Sequence, residues 1–583
     1  MSNLLKDASI LLTPTGYDNG KMLSIKPEDG DGDFTFSRNS AATRVNAQGL
    51  VENVQILSSD LVQNGSFSQI GPEEVTNGSF TNGSTDWTLE NGWSIGDDKA
   101  ISDGSGSIPN TDLVQGNVFT TGKSYKVTLE IKDYVSGNLQ LQNNTTNFPQ
   151  SNGIHTIYSS EGSTSLILRS LSFIGSITNI SVKEVGQNWI LGTGWSIGDN
   201  EVVYNTSSNE TLSQVGTYES GKTYKLTLEL KSHSRGLARV SINGGDLVNV
   251  PTSAGIHTMY LVAGTSAYKA FRFYGGGFGN GGEGSITNIV LLEITNDTDL
   301  PRINYEGFSY DGNGDIIPDS GCGSWLLEPQ STNIYLNSET LSTQDNTTLA
   351  STYTVSFYGT GTITFSGTHT GSLVGTSLTD RVSATFTATA GTLTSTVSGT
   401  VTKGQLENLN FASSYIPTSG ASSTRLQDLA SGSGNSTLIN STEGVLYAEI
   451  KANAIYNLQR WLSLSDGSHN NTVKIGFLNH PSDYKIACEV KSGGVSQAFM
   501  AKDFGAVALE YVKVAIKYKE NDFALWVNGV EVDTDTSGSA PIGLNNLRFT
   551  RGDSVQKFFG KVKAVAVYKE ALTDAELTCL TTI

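Results

Sequence analysis

Two closely spaced tryptophans, Trp87 and Trp93, return about 100 residues later as Trp189 and Trp195. An indole presents a flat apolar face that suits the C–H side of a pyranose ring, so these four are candidate carbohydrate-binding residues. Their strict repetition fits core packing as well, and core is the favoured reading for at least one tryptophan per copy. A second candidate is Asp311-Gly312-Asn313-Gly314-Asp315. Asp311, Asn313 and Asp315 alternate as oxygen ligands of a hard cation do, and calcium is the ion such a loop would hold; a plain turn is the competing reading. Asp29-Gly30-Asp31-Gly32-Asp33 is similar, but lacks the glutamate at the twelfth position and the flanking helices of an EF-hand. Catalysis needs a nucleophile, paired acids, a metal site or a cofactor loop converging in one cleft. His155 and His257 occupy equivalent positions in separate repeats, which duplication explains. Cys322, Cys488 and Cys579 lack metal spacing. Gly275-Gly276-Gly277 stands in no strand–loop–helix context for a phosphate. These residues point to binding rather than to an enzyme.

The elements that must carry the tryptophans are repeated with them. Gly122-Lys123-Ser124-Tyr125-Lys126-Val127-Thr128-Leu129-Glu130 answers to Gly221-Lys222-Thr223-Tyr224-Lys225-Leu226-Thr227-Leu228-Glu229, and Gly175-Ser176-Ile177-Thr178-Asn179-Ile180 to Gly284-Ser285-Ile286-Thr287-Asn288-Ile289. A repeat of about 100 residues exceeds the ~20–50 of a solenoid unit and implies two copies of one folding module. Tyr125, Val127, Leu129 and Ile131 alternate with Lys126, Thr128, Glu130 and Lys132. That is a strand with one apolar and one solvated face, as in an antiparallel sandwich. Val382, Ala384, Phe386 and Ala388 alternate with hydroxyl residues in the same way. Near the C-terminus Val512, Val514, Ile516 and Tyr518 alternate, Asn528-Gly529 predicts a type I′ hairpin, and Thr573-Asp574-Ala575-Glu576 predicts a capped helix.

The chain of 583 residues is 37% hydrophobic, enough to bury several cores. Only 16% of residues are charged, and Ser, Thr, Asn and Gly make the polar surface, as suits turn-rich β-structure. The net charge of −19 and the lack of a basic run exclude nucleic acid as a partner, since phosphates must be neutralised by Lys and Arg. No apolar run of about 18 residues predicts membrane insertion. The start, Met1-Ser2-Asn3-Leu4-Leu5-Lys6-Asp7, lacks the pattern of a signal peptide.

Three resemblances follow from these residues. Tyr518 through Asn528-Gly529-Val530-Glu531-Val532, with Phe559-Gly560-Lys561-Val562 through Val567-Tyr568 to Leu577, resembles the laminin-G/concanavalin A-like lectin sandwich. The two repeats look like jelly-roll carbohydrate-binding modules. Asn64-Gly65-Ser66-Phe67 and Asn77-Gly78-Ser79-Phe80 resemble the opening strand of such modules, and the second repeat carries no such segment of its own. Finally, Pro14-Thr15-Gly16-Tyr17, Asp33-Phe34-Thr35-Phe36-Ser37-Arg38 and Ala42-Thr43-Arg44-Val45-Asn46 look like the leader of bacteriophage fibre-type structural proteins. Pro301-Arg302-Ile303-Asn304-Tyr305 and Leu326-Leu327-Glu328-Pro329-Gln330 through Asn333 are similar to the segments that follow it in that family, as is the stretch ending in Gln405-Leu406-Glu407, Ser414-Tyr415-Ile416-Pro417 and Thr424-Arg425.

The expected fold class is all-β: a multidomain string of antiparallel β-sandwiches (jelly rolls) ending in a concanavalin A-like sandwich. The expected boundaries are a virion-anchoring segment 1–58 packing with 299–340, modules 59–186 and 187–298, a Thr-rich sandwich 341–430, a flexible linker 431–439 and a lectin-like domain 440–583. The resemblance implies a structural protein of a phage virion, a tail or head fibre, spike or decoration. It would be assembled in the host cytoplasm, contact other virion proteins and host-surface glycan, and form a homo-oligomer, with a trimer favoured. A bacterial surface adhesin is the alternative, and a polysaccharide depolymerase a third reading.

Overall fold

The structure, a computed structural model, describes residues 4–106, 111–160, 162–207, 210–236, 238–276, 281–305, 309–310, 316–317, 323–454, 459–478, 485–503 and 510–582. Its regular secondary structure is nearly all strand, and the pairs are antiparallel throughout the long ladders. The chain forms two compact units, residues 57–295 and residues 1–56 with 296–583.

In the unit 57–295 each repeat is a sandwich around its own core. Strand Ser124–Leu141 buries Tyr125, Val127, Leu129 and Ile131, and strand Thr223–Arg235 buries Tyr224, Leu226, Leu228 and Leu230. The copies are nested rather than serial. Asn64-Gly65-Ser66-Phe67 was expected in the first module, yet it belongs to the second: Phe67 packs on Trp189 at 5.3 Å between ring centroids, and the Ile289 N–H donates to the Gly65 carbonyl at 3.0 Å. Asn77-Gly78-Ser79-Phe80 opens the first module in the same way, with Phe80 at 5.3 Å from Trp87 and Ile180 N–H donating to Gly78 at 2.9 Å. The second module therefore has its opening segment, placed ahead of the first module in the chain. The side chain of Gln214 clasps the backbone of Gln63, and Gln115 clasps that of Thr76 in the equivalent place.

In the other unit, strands Glu443–Ala452, Gly560–Tyr568, Val512–Lys519, Asp522–Val527 and Val530–Asp535 form one sheet of a sandwich. Strands Val495–Asp503, Lys485–Ser492, Thr472–Leu478, Arg460–Ser465 and Asn546–Arg548 form a second sheet over the same core. Asn528 and Gly529 both take positive φ, as the type I′ hairpin requires. Helix Asp574–Thr581 carries the capping box between Thr573 and Glu576. The boundaries differ from those expected. Ile10–Leu12 of the leader pairs with Gly560–Tyr568, and Ser324–Leu327 pairs with the same strand, so the lectin-like sheet does not begin at residue 440. Residues 431–439 are not a flexible linker. Ser433 is buried and exchanges backbone hydrogen bonds with Leu547, and Ile439 lies in the core. The Thr-rich sandwich has a small core of its own built on Tyr353, Val355, Phe357, Ile363 and Leu393.

A buried ionic cluster ties these segments together. Arg302 donates to Glu328 at 2.8 Å and to Asp428. Arg38 donates to Asp428 at 3.1 Å, and Arg425 lies 3.4 Å from Glu328. All five side chains are sealed from solvent. The residues carrying the fibre-like resemblance thus have a physical role: they are the charges that join the leader, 299–333 and the end of the Thr-rich sandwich.

Candidate functional site

All four candidate tryptophans lie in the module cores, between 4% and 8% exposed. Trp87 Nε1 donates to the Asn77 carbonyl and Trp189 Nε1 to Asn64, each at 3.1 Å. Trp93 Nε1 donates to Thr111 and Trp195 Nε1 to Glu210, each at 3.0 Å. Each indole has spent its one donor inside its own module, and its faces meet protein, Phe173 for Trp93 and Tyr204 for Trp195 among them. In this arrangement the indoles are largely buried and hold the walls of their modules, and Trp189 also lines a cleft. Asp311, Asn313 and Asp315 lie outside the described residues. Among the described residues no group of three His, Cys, Asp or Glu side chains is placed to hold a metal.

What Trp189 does position is a cleft of about 590 Å³ in the second module. Exposed Asn188 and Ile190 flank the indole in sequence; Gln63, Gln214, Val215 and Tyr218 contribute from the opening segment and from the end of strand Thr211–Val215. Ile190 and Val215 are 52% and 57% exposed, which places apolar side chains beside amides. The Tyr218 hydroxyl is buried and has no hydrogen-bond partner in the protein. Burial, with Tyr224 and Asp60 nearby, pushes it up to about 12, so it stays a neutral donor at any physiological pH. Lys123 supplies the cleft's cation and pairs with Glu184 at 2.9 Å. No carboxylate is among the described residues that line it. Amides, a hydroxyl and apolar groups can bind a polyol through both its hydroxyls and its C–H faces; they do not provide the two carboxylates of glycoside hydrolysis.

The equivalent positions of the first module are occupied differently. Asp86 stands for Asn188 and Phe119 for Tyr218; Phe119 packs on Tyr125 at 4.9 Å as Tyr218 does on Tyr224 at 5.9 Å. The tryptophans drew attention because they repeat. The residues that line the cleft differ between copies, so aligning the repeats and asking where they diverge is the signal that finds them. His155 and His257 each bond a carbonyl four residues back, Ser151 and Ser253, as duplicated hairpin positions do.

Residues 434–578 match the concanavalin A-like lectin/glucanases superfamily, in agreement with the sandwich seen there. No curated protein matches the chain. Among solved structures, the chain is similar to a carbohydrate-binding module (CBM40) of the Ruminococcus gnavus IT-sialidase bound to alpha2,3 sialyllactose, at 19% identity over 26% of this chain and 88% of that one, with a TM-score of 0.22. It is also similar to a native heptameric SAP-like pentraxin from Limulus polyphemus, at 13% identity over 24% of this chain and 69% of that one, TM-score 0.19. The third is the N-terminal CBM22-1-CBM22-2 tandem domain of Paenibacillus barcinonensis Xyn10C, at 10% identity over 38% of this chain and 97% of that one, TM-score 0.15.

Proposed function

We propose that this protein is a non-catalytic glycan-binding component of a bacteriophage particle, displaying its sandwich modules to the host surface. The observation that carries the glycan part is the cleft beside Trp189, where amides, the partnerless Tyr218 hydroxyl and the exposed Ile190 and Val215 converge. The particle part is supported by the likeness of the leader, 301–333 and 341–425 to fibre-type structural proteins. A trimer, the favoured assembly, gives three weak sites the advantage of avidity.

The full-length chain on an array of bacterial surface glycans is expected to retain a subset of neutral saccharides. Val215→Asp, on an exposed strand end, is expected to weaken that capture at least tenfold with unchanged circular dichroism. Tyr218→Phe, which copies the first module, removes one hydrogen bond, worth about 0.5–1.5 kcal/mol, and is expected to cost roughly two- to tenfold. A blank array, or capture that survives both substitutions, sinks the glycan reading. Antibody labelling in electron micrographs tests the rest: label on purified particles supports the virion component, and label on the bacterial envelope alone supports the adhesin instead.

A further inference from the structure

Within the unit 57–295 the two modules meet through one sheet edge of each. The long sheet of the second module runs Trp195–Ile197, Val202–Asn205, Glu283–Asn296, Thr223–Arg235, Gly255–Val262. Among the described residues its edges are therefore Trp195–Ile197 and Gly255–Val262. Strands Trp93–Gly96 and Gly153–Ser160 hold the equivalent edges of the first module. Gly153–Ser160 lies against Trp195–Ile197, so opposite edges of the repeated fold are joined. Tyr158 is half-buried there against the core of the second module, and its hydroxyl donates to Asp199 at 3.2 Å. Burial, with the Asp199 charge, pushes that hydroxyl up to about 12, so it remains a donor. Lys126 stands over the Tyr158 ring at 5.8 Å from its centroid. On the receiving strand Ile197 is 3% exposed, and the Gly186 backbone approaches so closely that a Cβ there would lie 2.6 Å from its side chain.

Duplication supplies both surfaces a second time, and there they are exposed. Tyr260 is the counterpart of Tyr158, and Asp97 of Asp199. Lys225 is the cross-strand neighbour of Tyr260 as Lys126 is of Tyr158. Tyr260 is 41% exposed, and Val262, which replaces Ser160, is 53% exposed. Ile95, the counterpart of Ile197, is half-buried, and Asp97 is exposed in the turn that follows its strand. An exposed edge strand is a template for another chain. Here one edge offers a phenol and an apolar side chain, and the opposite edge offers a carboxylate and an isoleucine. Each edge complements the other rather than itself, which is the condition for head-to-tail rather than two-fold association.

We propose that a second copy of this chain docks on these edges, Tyr260 and Val262 of one copy against Ile95 and Asp97 of the next, repeating between copies the contact that the two modules make within one. The inference rests on the homo-oligomer part of the reading above and is independent of glycan binding. Inside the chain a short connection holds the joined edges together; between copies none does, so association is expected to rise with concentration. Sedimentation velocity of the full-length protein over a concentration series tests it, and the wild type is expected to pass beyond two copies. Val262→Asp turns a carboxylate toward the Asp97-Asp98 turn, a like-charge contact. Asp97→Gly suits the positive φ of that position and removes the charged acceptor. Both positions are exposed, so circular dichroism is expected to be unchanged, while each variant associates at least tenfold more weakly. Mixing the two variants leaves one good contact, the Asp97 edge of the first with the Tyr260 edge of the second, and is expected to give complexes of two copies and no more. If Val262→Asp blocks association and Asp97→Gly does not, strand Gly255–Val262 pairs with itself and the head-to-tail contact is overturned. Undiminished association of both variants overturns this surface and leaves the homo-oligomer standing. A wild type that stays monomeric at every concentration overturns both.

Discussion

Arg302→Met is expected to lower the stability of the unit that holds it by about 3–5 kcal/mol, the usual consequence of removing one partner from a buried ion pair. Arg302 is fully buried and donates to both Glu328 and Asp428, and to the Ser414 hydroxyl at 2.5 Å. Methionine fills similar space but leaves both carboxylates short of a donor in a place water cannot reach. Exchange of the Gly560–Tyr568 amides reads the local opening energy, because that strand pairs with the leader, with Ser324–Leu327 and with Glu443–Ala452. Protection unchanged by the substitution would show that the cluster does not hold the sheet together.

The same cluster sets an acid limit. Burial alone would raise the Glu328 carboxyl, but the charges of Arg425 and Arg302 and the Ser414 bonds outweigh it and hold it well below the usual carboxylate range. A depressed folded value means that the contribution is complete above the unfolded value, near pH 4.3, and is lost as pH falls from there toward the folded value. The wild-type unit should therefore weaken below about pH 4. Arg302→Met removes one of the two named charges, so its folded value rises and less of the acid-sensitive stability remains to be lost. A pH series of the same exchange measurement gives both slopes.

Period-2 patterning made the strands legible. Tyr125 to Ile131, Tyr224 to Leu230 and Val512 to Tyr518 all bury their apolar face, because alternate side chains on one face have only one way to leave water. The fate of the tryptophans was not legible, since an indole suits a core and a sugar equally; the deciding fact is where each Nε1 donates, and that depends on a distant carbonyl. Ala430 to Asn435 illustrates a different limit. Its Ser-Gly composition favours flexibility in isolation, yet Leu429–Ser431 pairs with Phe34–Ser37 and Ser433 with Leu547. Backbone hydrogen bonds do not need side chains, so partners this far away in sequence leave no local trace. The cleft beside Trp189 falls under the same limit. Gln63, Trp189 and Gln214 become neighbours only through topology.

Chain order misleads most at residues 64–67, and that gives the sharpest test of the nesting. Phe67→Ala is expected to cost the second module about 3–5 kcal/mol, as deletion of a buried aromatic ring does, because Phe67 is buried against Trp189. Phe80→Ala, thirteen positions later in sequence, should strike the first module instead, through Trp87. The glycines give a matching pair. A Cβ on Gly65 would overlap the Ile289 carbonyl oxygen, and one on Gly78 the Ile180 carbonyl oxygen, so Gly65→Ala and Gly78→Ala should separate in the same way. Hydrogen exchange reports the two modules independently, in strands Thr223–Arg235 and Ser124–Leu141. Serial modules would have both residues 64–67 and 77–80 serving Ser124–Leu141. Nesting requires a crossed result, in which the earlier segment protects the later module and the later segment the earlier one. It follows that the first module, entered and left between two parts of the second, can lose its fold only by lengthening a loop of its host, whose entropic cost grows as slowly as the logarithm of loop length. Gly78→Ala is thus expected to leave the second module folded. Loss of protection in Thr223–Arg235 on that substitution would mean instead that the two cores form one cooperative body.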